Sequence, residues 1–239
     1  MGEPSLRPLL WMSPALAGGG YSSESIAFAM GLANLPSLSG SFALRNFAEQ
    51  PSYEFIAGLP EQAEKALIAV LDQDGSFDKR LRRRKGIVIC HSTPDAWVPS
   101  KFPGWDELAP CPPASATYTI GRTMFETDSM PSDWVARCNA MDEIWVPTDF
   151  HQATFAAAGV TSSKLHVVGE PVDTAFFDPA AHAPMRLSSD VKSAAAVSTV
   201  QRPFRFLSVF KWERRKGWDA LLQASVRAST MHASPRAHH

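Results

Sequence analysis

Short apolar runs alternate with stretches of helical periodicity along the first three quarters of the chain. Six runs have the length and composition of buried strands, and they cover residues 9–12, 42–47, 87–90, 117–120, 143–146 and 165–168. Helical periodicity is found between Ser22 and the break at Pro36, over 61–71, after Ser132, and over 150–158 before Gly159. Strands and helices that alternate at this spacing predict an α/β fold with a Rossmann-like parallel sheet flanked by helices.

Several local features carry narrower predictions. Ser22 and Ser23 are expected to cap the first helix, with Glu24 as an acid in its first turn. Residues 53–57 have the composition of a further short strand. Residues 94–113 hold six prolines and two tryptophans, which predicts a surface excursion near a site.

The last quarter of the chain changes character. Residues 180–202 are rich in Ala and Ser and lack periodicity, as in a linker, and 203–224 begin again with a strand and a helix. The predicted plan is therefore a first domain over 1–179, a linker over 180–202, the start of an incomplete second α/β domain over 203–224, and a disordered tail over 225–239. Without sheet partners, the apolar residues of the second part should fold back on the first domain, bind a partner or promote aggregation; they are Trp212, Trp218, Leu221 and Leu222.

Composition excludes several classes of protein. The 239 residues include 45% apolar and 20% charged residues, which is ordinary for a globular protein. A net charge of −1 gives no general attraction to nucleic acid, so the basic cluster Lys79–Lys85 is better explained as a solvated loop than as a nucleic-acid patch. No run of 18 apolar residues predicts a membrane span, and the short apolar stretch before Ala15 is no signal peptide, so a cytoplasmic location is the default expectation.

The cysteines suggest neither a disulfide framework nor a metal site. Cys90, Cys111 and Cys138 are odd in number, widely spaced and distant from any histidine in a ligand pattern. We therefore expect buried or half-buried thiols in a reducing compartment, and no bound metal.

Chemistry-bearing residues follow the ends of the predicted strands, where open α/β sheets bind their ligands. Gly18, Gly19 and Gly20 lie between a strand and a helix, as in a loop that cradles an anion, although a turn required by the sheet is an equal alternative. His91 directly follows a buried strand, and its alternative role is that of a histidine satisfied inside the core.

Two further strand ends carry charged groups. Glu126 and Asp128 follow the next strand, where carboxylates can accept hydrogen bonds from adjacent sugar hydroxyls; N-capping and solvation are the structural alternatives. Lys216 and Gly217 stand at a helix entry suited to a diphosphate, although a basic turn alone is a weak signal.

Taken together, these stretches resemble the retaining glycosyltransferases of the GT-B fold. The resemblance rests on WMSPALAGGGYSSES, VICHSTPDAW, the block from YTIGRTMFETD to FAAAGV, LHVVGEPVDTAFFDP and FRFLSVFKWERRKGWDALLQA, and it covers roughly residues 8–224. It implies two Rossmann-like domains that face a cleft, a nucleotide sugar as co-substrate without a further cofactor, and hexosyl transfer to a carbohydrate or other hydroxyl acceptor.

The resemblance also implies roles for individual residues. Gly18, Gly19 and Gly20 would close on the donor phosphates, together with Lys211 and Lys216, and His91 would be the catalytic histidine that bonds the donor sugar. Glu126, Thr127 and Asp128 would face the acceptor. Phe210 and Lys211 stand where the family has Gly and Arg, and Lys keeps the charge but loses the bidentate fork.

Two other functions compete with this one. The family's pair of sugar-binding glutamates and its nucleobase pocket have no counterpart before residue 239, so we expect a truncated chain with little or no turnover, or else a non-catalytic module that binds a carbohydrate or a partner. A nicotinamide-dependent oxidoreductase would need an acid about 20 residues after the glycines, and residues 38–46 provide none.

Overall fold

A computed structural model describes residues 6–104, 109–185, 207–210 and 212–233. Six strands form one parallel sheet in the order β2-β1-β3-β4-β5-β6, which confirms the predicted α/β class. The strands are β1 Leu9–Ser13, β2 Phe42–Asn46, β3 Ile87–His91, β4 Tyr118–Arg122, β5 Glu143–Val146 and β6 Leu165–Val167.

Seven helices of α type have described bounds. They are α1 Gly20–Ala33, α2 Tyr53–Ala57, α3 Glu61–Val70, α4 Phe77–Arg84, α5 Trp134–Ala140, α6 Asp149–Ala158 and α7 Trp218–Ala233. None of the helices in these ranges is both long enough and apolar enough to cross a membrane.

The sheet separates two hydrophobic clusters because successive side chains of a strand point to opposite faces. On one face, Leu10 and Met12 of β1 pack with residues of α4, α5 and α6. On the other face, Trp11 packs with residues of α1 and α3. Both faces of the central strands are thus covered, which explains why these strands are continuous apolar runs in the sequence.

Two segments differ from their predicted form. Residues 53–57 form the short helix α2, because the Ser52 side chain accepts a hydrogen bond from the Phe55 amide and starts a helical turn. The basic cluster over 79–85 is largely helical, since Phe77 and Leu81 bury one side of α4 while the basic side chains stay exposed. The prediction of a loop was therefore wrong, although the prediction of solvation was right.

The proline-rich excursion is partly core rather than only surface. Trp97 is fully buried, and its indole N–H donates to the Ser92 hydroxyl at 3.0 Å. A side chain at position 121 would meet the Trp97 ring at 2.4 Å, so Gly121 is the residue that lets β4 pass beneath it. A disulfide joins Cys111 of this segment to Cys90 of β3. This corrects the expectation that the two residues are thiols. Only Cys138 is a buried free thiol, as predicted.

The chain forms two compact units, residues 1–183 and 184–239. In the second unit, 207–210 have no strand, and the rest of the predicted strand over 204–210 lies outside the described residues. The prediction of a disordered tail over 225–239 does not hold for 225–233, because α7 continues helically to Ala233, and 234–239 lie outside the described residues. Trp212 stacks on Trp218 with ring centroids 4.5 Å apart, yet Trp212 remains 65% exposed.

The disulfide should stabilise the fold by tying the proline-rich segment to β3. We expect the variant Cys111→Ala to lower the free energy of unfolding by about 3 kcal/mol, the value for a loop of this length. Urea unfolding with and without dithiothreitol measures the effect. Reductant should shift the midpoint of the native chain and of the control Cys138→Ala, but not that of Cys111→Ala. Equal midpoints for the native chain under both conditions would contradict the disulfide.

Candidate functional site

The candidate site lies at the carboxyl edge of the sheet, where the strand order reverses. The chain places β2 on one side of β1 and β3 through β6 on the other, so the loops that leave β1 and β3 diverge. In open α/β sheets ligands bind outside the strand ends at this point. Here β1 is followed by the glycine loop, and β3 and β4 end at His91 and Arg122.

The glycine loop is shaped by Ser22 rather than by an empty cradle. The Ser22 hydroxyl accepts hydrogen bonds from the amides of Gly18 at 2.9 Å and Gly19 at 3.1 Å, and donates to the carbonyl of Pro14. Gly18 has a φ of +84° and lies against Phe55, so a side chain there would be strained. Gly20 begins α1. Two of the amides predicted to face an anion are therefore bonded within the loop, and Ser22 lies in the first turn of the helix rather than at its N-cap.

His91 is buried and satisfied on both sides of its ring. Its side chain is 0% exposed. Nδ1 lies 3.2 Å from the indole nitrogen of Trp11 and 3.0 Å from the hydroxyl of Ser25, and Nε2 lies 3.0 Å from Glu24. A direct hydrogen bond from this imidazole to a donor sugar does not fit this placement, because no ring nitrogen is left for a ligand.

The contacts of His91 also determine where its proton lies. The indole nitrogen of Trp11 can only donate, so Nδ1 must accept. The proton is then on Nε2 and is donated to the Glu24 carboxylate. A protonated imidazolium would place an N–H against the Trp11 N–H, so His91 is neutral.

Glu24 is the hub of this network. One carboxylate oxygen accepts from His91, and the other accepts from Nε of Arg122 at 2.6 Å and from Nη2 of the same guanidinium. The third guanidinium nitrogen donates to the carbonyl of Val168 at 2.8 Å. The Arg122 guanidinium carbon lies 4.8 Å from the centre of the Phe28 ring. These contacts join α1, β3, β4 and the segment after β6.

Burial and pairing set the ionisation of these groups. Burial alone would raise the pKa of Glu24, but the hydrogen bond from His91 and the charge and hydrogen bonds of Arg122 lower it. Burial lowers the pKa of His91, and the neighbouring Glu24 only partly opposes this. The network therefore consists of a carboxylate, a guanidinium and a neutral imidazole, and it serves to position the backbone around it.

The predicted acceptor residues lie in the segment that follows β4. Glu126, Thr127 and Asp128 are exposed, and the Thr127 hydroxyl donates to the carbonyl of Ser129 at 2.7 Å. Tyr21, the residue after the glycines, lies close to the backbone of Met124 in the segment after β4. Burial raises the pKa of its hydroxyl, and this is the largest influence on it. Tyr21 thus brings the loop after β1 close to the start of the loop after β4.

The two predicted phosphate-binding lysines belong to the second unit. Lys211 lies outside the described residues. Lys216 is exposed and ends a short 3-10 turn, and Gly217 follows in the left-handed region with a φ of +68°. In the described ranges, no group of three or more His, Cys, Asp and Glu side chains is arranged to hold a metal ion.

Sequence analysis overlooked the partners of His91. Glu24 was predicted to be a first-turn acid in contact with the helix end, yet its side chain points into the core. The composition of α1 carries a signal for the burial of Glu24. It is the only charged residue in this helix, and all others are apolar, small or hydroxyl-bearing. Arg122 lies beyond the predicted strand 117–120, yet it is the last residue of β4 and only 1% exposed.

Removal of the Glu24 charge should be costly because the buried Arg122 guanidinium loses its counter-charge, and the amide nitrogen of glutamine faces one of the two buried donors. We expect Glu24→Gln to lower the free energy of unfolding by roughly 3–5 kcal/mol. The control is Glu61→Gln, which breaks an exposed pair with Lys65 and should cost less than about 0.5 kcal/mol. Urea unfolding at pH 7.5 compares them, and equal losses in both variants would contradict the network.

The buried neutral imidazole should make stability depend on pH. An unfolded histidine has a pKa of about 6.5, and the folded pKa of His91 is lower. The unfolded chain therefore takes up a proton first as the pH falls below about 6.5, and the free energy of unfolding decreases. The control His182→Gln, at an exposed position, should keep this dependence, whereas His91→Gln should reduce it.

The tautomer gives a second measurement that does not need a variant. Nitrogen-15 NMR of the folded chain at pH 7 should place the His91 proton on Nε2. A proton on Nδ1, or an imidazolium at pH 7, would contradict the assigned contacts.

Comparison with known proteins adds fold-level findings only. No protein-family model matches the chain, and no curated protein matches it in sequence. Among solved structures it is similar to Anabaena HepE in complex with UDP and glucose, with a TM-score of 0.47 and 13% identity over 73% of this chain and 48% of that one. The UDP-glucose complex of HepE gives a TM-score of 0.48 and 13% identity over 73% and 47%. The chain therefore spans about half the length of the solved structures it matches.

Proposed function

We propose that the first unit is the acceptor-side domain of a GT-B glycosyltransferase that uses a nucleotide sugar as co-substrate and no further cofactor. The observation that carries this proposal is that the glycine loop and the exposed acids both follow strands that end at the carboxyl edge of the sheet, where the strand order reverses, and that Tyr21 lies close to Met124 between them. The resemblance of the sequence to that family supports it. Retention of stereochemistry at the transferred sugar is part of the proposal.

The residues divide into those that would meet ligands and those that hold them in place. Glu126, Thr127 and Asp128 are exposed, and carboxylates accept hydrogen bonds from adjacent hydroxyls of a sugar acceptor. Gly19 and Gly20 have open space where a side chain would stand, so a ligand can approach the backbone closely there. Glu24, His91 and Arg122 are buried and act as positioning residues for these loops.

The donor side of the proposal rests on the second unit. Lys211 and Lys216 would contribute charge to the diphosphate of the nucleotide sugar. Such transfer is accelerated by neutralising the leaving diphosphate and by holding donor and acceptor in contact. A cytoplasmic location remains a prediction, and the Cys90–Cys111 disulfide is more typical of an oxidising compartment.

A non-catalytic carbohydrate-binding or partner-binding module is the second candidate. The burial of His91 favours it, because a module needs no imidazole at a reacting carbon. Both candidates expect sugar binding at the exposed acids, but only the glycosyltransferase expects a nucleotide sugar to bind as well.

Binding measurements on the full chain test the proposal. Calorimetric titration with glucose, galactose, mannose and N-acetylglucosamine and their small glycosides should detect one acceptor class. The double variant Glu126→Gln/Asp128→Asn should weaken that binding by about 10-fold or more, since hydrogen bonds to charged groups are strong. The control Glu61→Gln removes an exposed acid on α3 and should leave affinity unchanged.

Titration with UDP-glucose then separates the two candidates. Binding of both ligands supports the glycosyltransferase, and little or no product is expected from this chain. Sugar binding that depends on Glu126 and Asp128 without nucleotide-sugar binding, tested with other nucleotide sugars too, supports the module. A sugar affinity that is unchanged in the double variant Glu126→Gln/Asp128→Asn contradicts both candidates.

A further inference from the structure

A stripe of polar and basic side chains runs along one side of α4. Its members are spaced by three and four residues, as neighbours on a helix surface are, and they comprise Ser76, Lys79, Arg80, Arg83 and Arg84. Phe77 and Leu81 anchor the opposite side of the helix in the core. The helix is thereby held with its cationic side fixed toward solvent.

The stripe forms one wall of a cleft, and the segment before β2 forms the other. Ser39, Gly40 and Ser41 line that second wall, and the cleft has a volume of about 580 Å³. This volume lies within the range of small-molecule sites, about 300–1,000 Å³. Since Ser41 directly precedes β2 and Arg84 nearly reaches β3, the cleft opens at the amino edge of the sheet, away from the candidate site.

One cation is fixed across the cleft before any ligand arrives. Arg80 donates a hydrogen bond to the carbonyl of Gly40, which joins the two walls. Its guanidinium carbon also lies 5.3 Å from the centre of the Phe77 ring. A side chain that is already held in place loses less entropy when a ligand binds.

The charge of the cleft has one sign. Among the residues that line it in the described part of the chain, Lys79, Arg80, Arg83 and Arg84 are cations and none is acidic. Cations near a helix C-terminus are favoured by the helix dipole, which accounts for Arg83 and Arg84. The dipole does not account for Lys79 and Arg80, which lie further toward the N-terminus and repel the others.

We propose that this cleft binds a ligand that carries two or more phosphate groups. Guanidinium groups bind phosphate oxygens in pairs of hydrogen bonds, and a lysine adds a compact charge. The hydroxyls of Ser39 and Ser41, which line the cleft, can donate to the remaining oxygens. No aromatic side chain lines the cleft in the described residues, so it lacks the stacking surface that single-stranded nucleic acid requires. The ligand is a free polyphosphate or a polyphosphorylated lipid headgroup, which share this chemistry.

Calorimetric titration of the full chain with tripolyphosphate at 0.15 M salt tests the site. The double variant Arg83→Gln/Arg84→Gln removes two lining charges and should weaken binding by about 10-fold or more. The matched control is Arg82→Gln/Lys85→Gln, which removes the same charge from exposed positions outside the cleft and should change affinity by less than about threefold. Melting temperatures of both variants verify that they fold.

The outcomes are distinct. Equal weakening in the two double variants would mean general electrostatic attraction and would overturn the site, as would the absence of binding by the native chain. Flotation with phosphatidylcholine vesicles that contain phosphatidylinositol bisphosphate identifies the source of the phosphate groups. Flotation that tripolyphosphate reverses assigns the headgroup, and tripolyphosphate binding without flotation assigns a free polyphosphate. None of these results depends on sugar binding at the opposite edge.

Discussion

The carboxyl edge of this sheet depends on the buried pairing of Glu24 with Arg122 and His91. A carboxylate removed from water costs several kcal/mol unless its oxygens are paired and bonded. Arg122 supplies the opposite charge and His91 supplies an N–H. These contacts offset the cost of removing the Glu24 carboxylate and the Arg122 guanidinium from water. Since they come from α1, β3 and β4, the pairing fixes the start of the first helix against two strand ends.

The consequence for function is a separation of roles between buried and exposed groups. The network holds the helix whose first turn begins at Gly20, and Tyr21 in that turn lies close to the backbone of Met124. Under the proposed function, the groups that would meet a ligand are the exposed residues 126–128 and the backbone of the glycine loop. His91 thus contributes by position, and the proposed chemistry does not require it to contact substrate.

Local pattern was sufficient to predict most of the sheet from the sequence. A buried parallel strand is a run of four or five apolar residues, which the sequence shows directly. The predicted bounds of β1 and β3 therefore differ from the observed ones by one residue. The same logic failed at 53–57, where the hydroxyl of Ser52 starts a helical turn that composition does not reveal. Contacts between residues far apart in the sequence could not be predicted from local pattern. Glu24 and Arg122 are 98 residues apart. Cys90 bonds to Cys111 because the proline-rich segment returns to β3.

The central claim is that a sugar ligand binds at the carboxyl edge of the first unit, above the Glu24 network. A proton–nitrogen NMR spectrum of the full chain, recorded during titration with the glycoside that binds, tests this most directly. We expect the amide shifts to concentrate at residues 18–21 and 124–129. Shifts confined to other parts of the chain, with these two loops unchanged, would contradict the account.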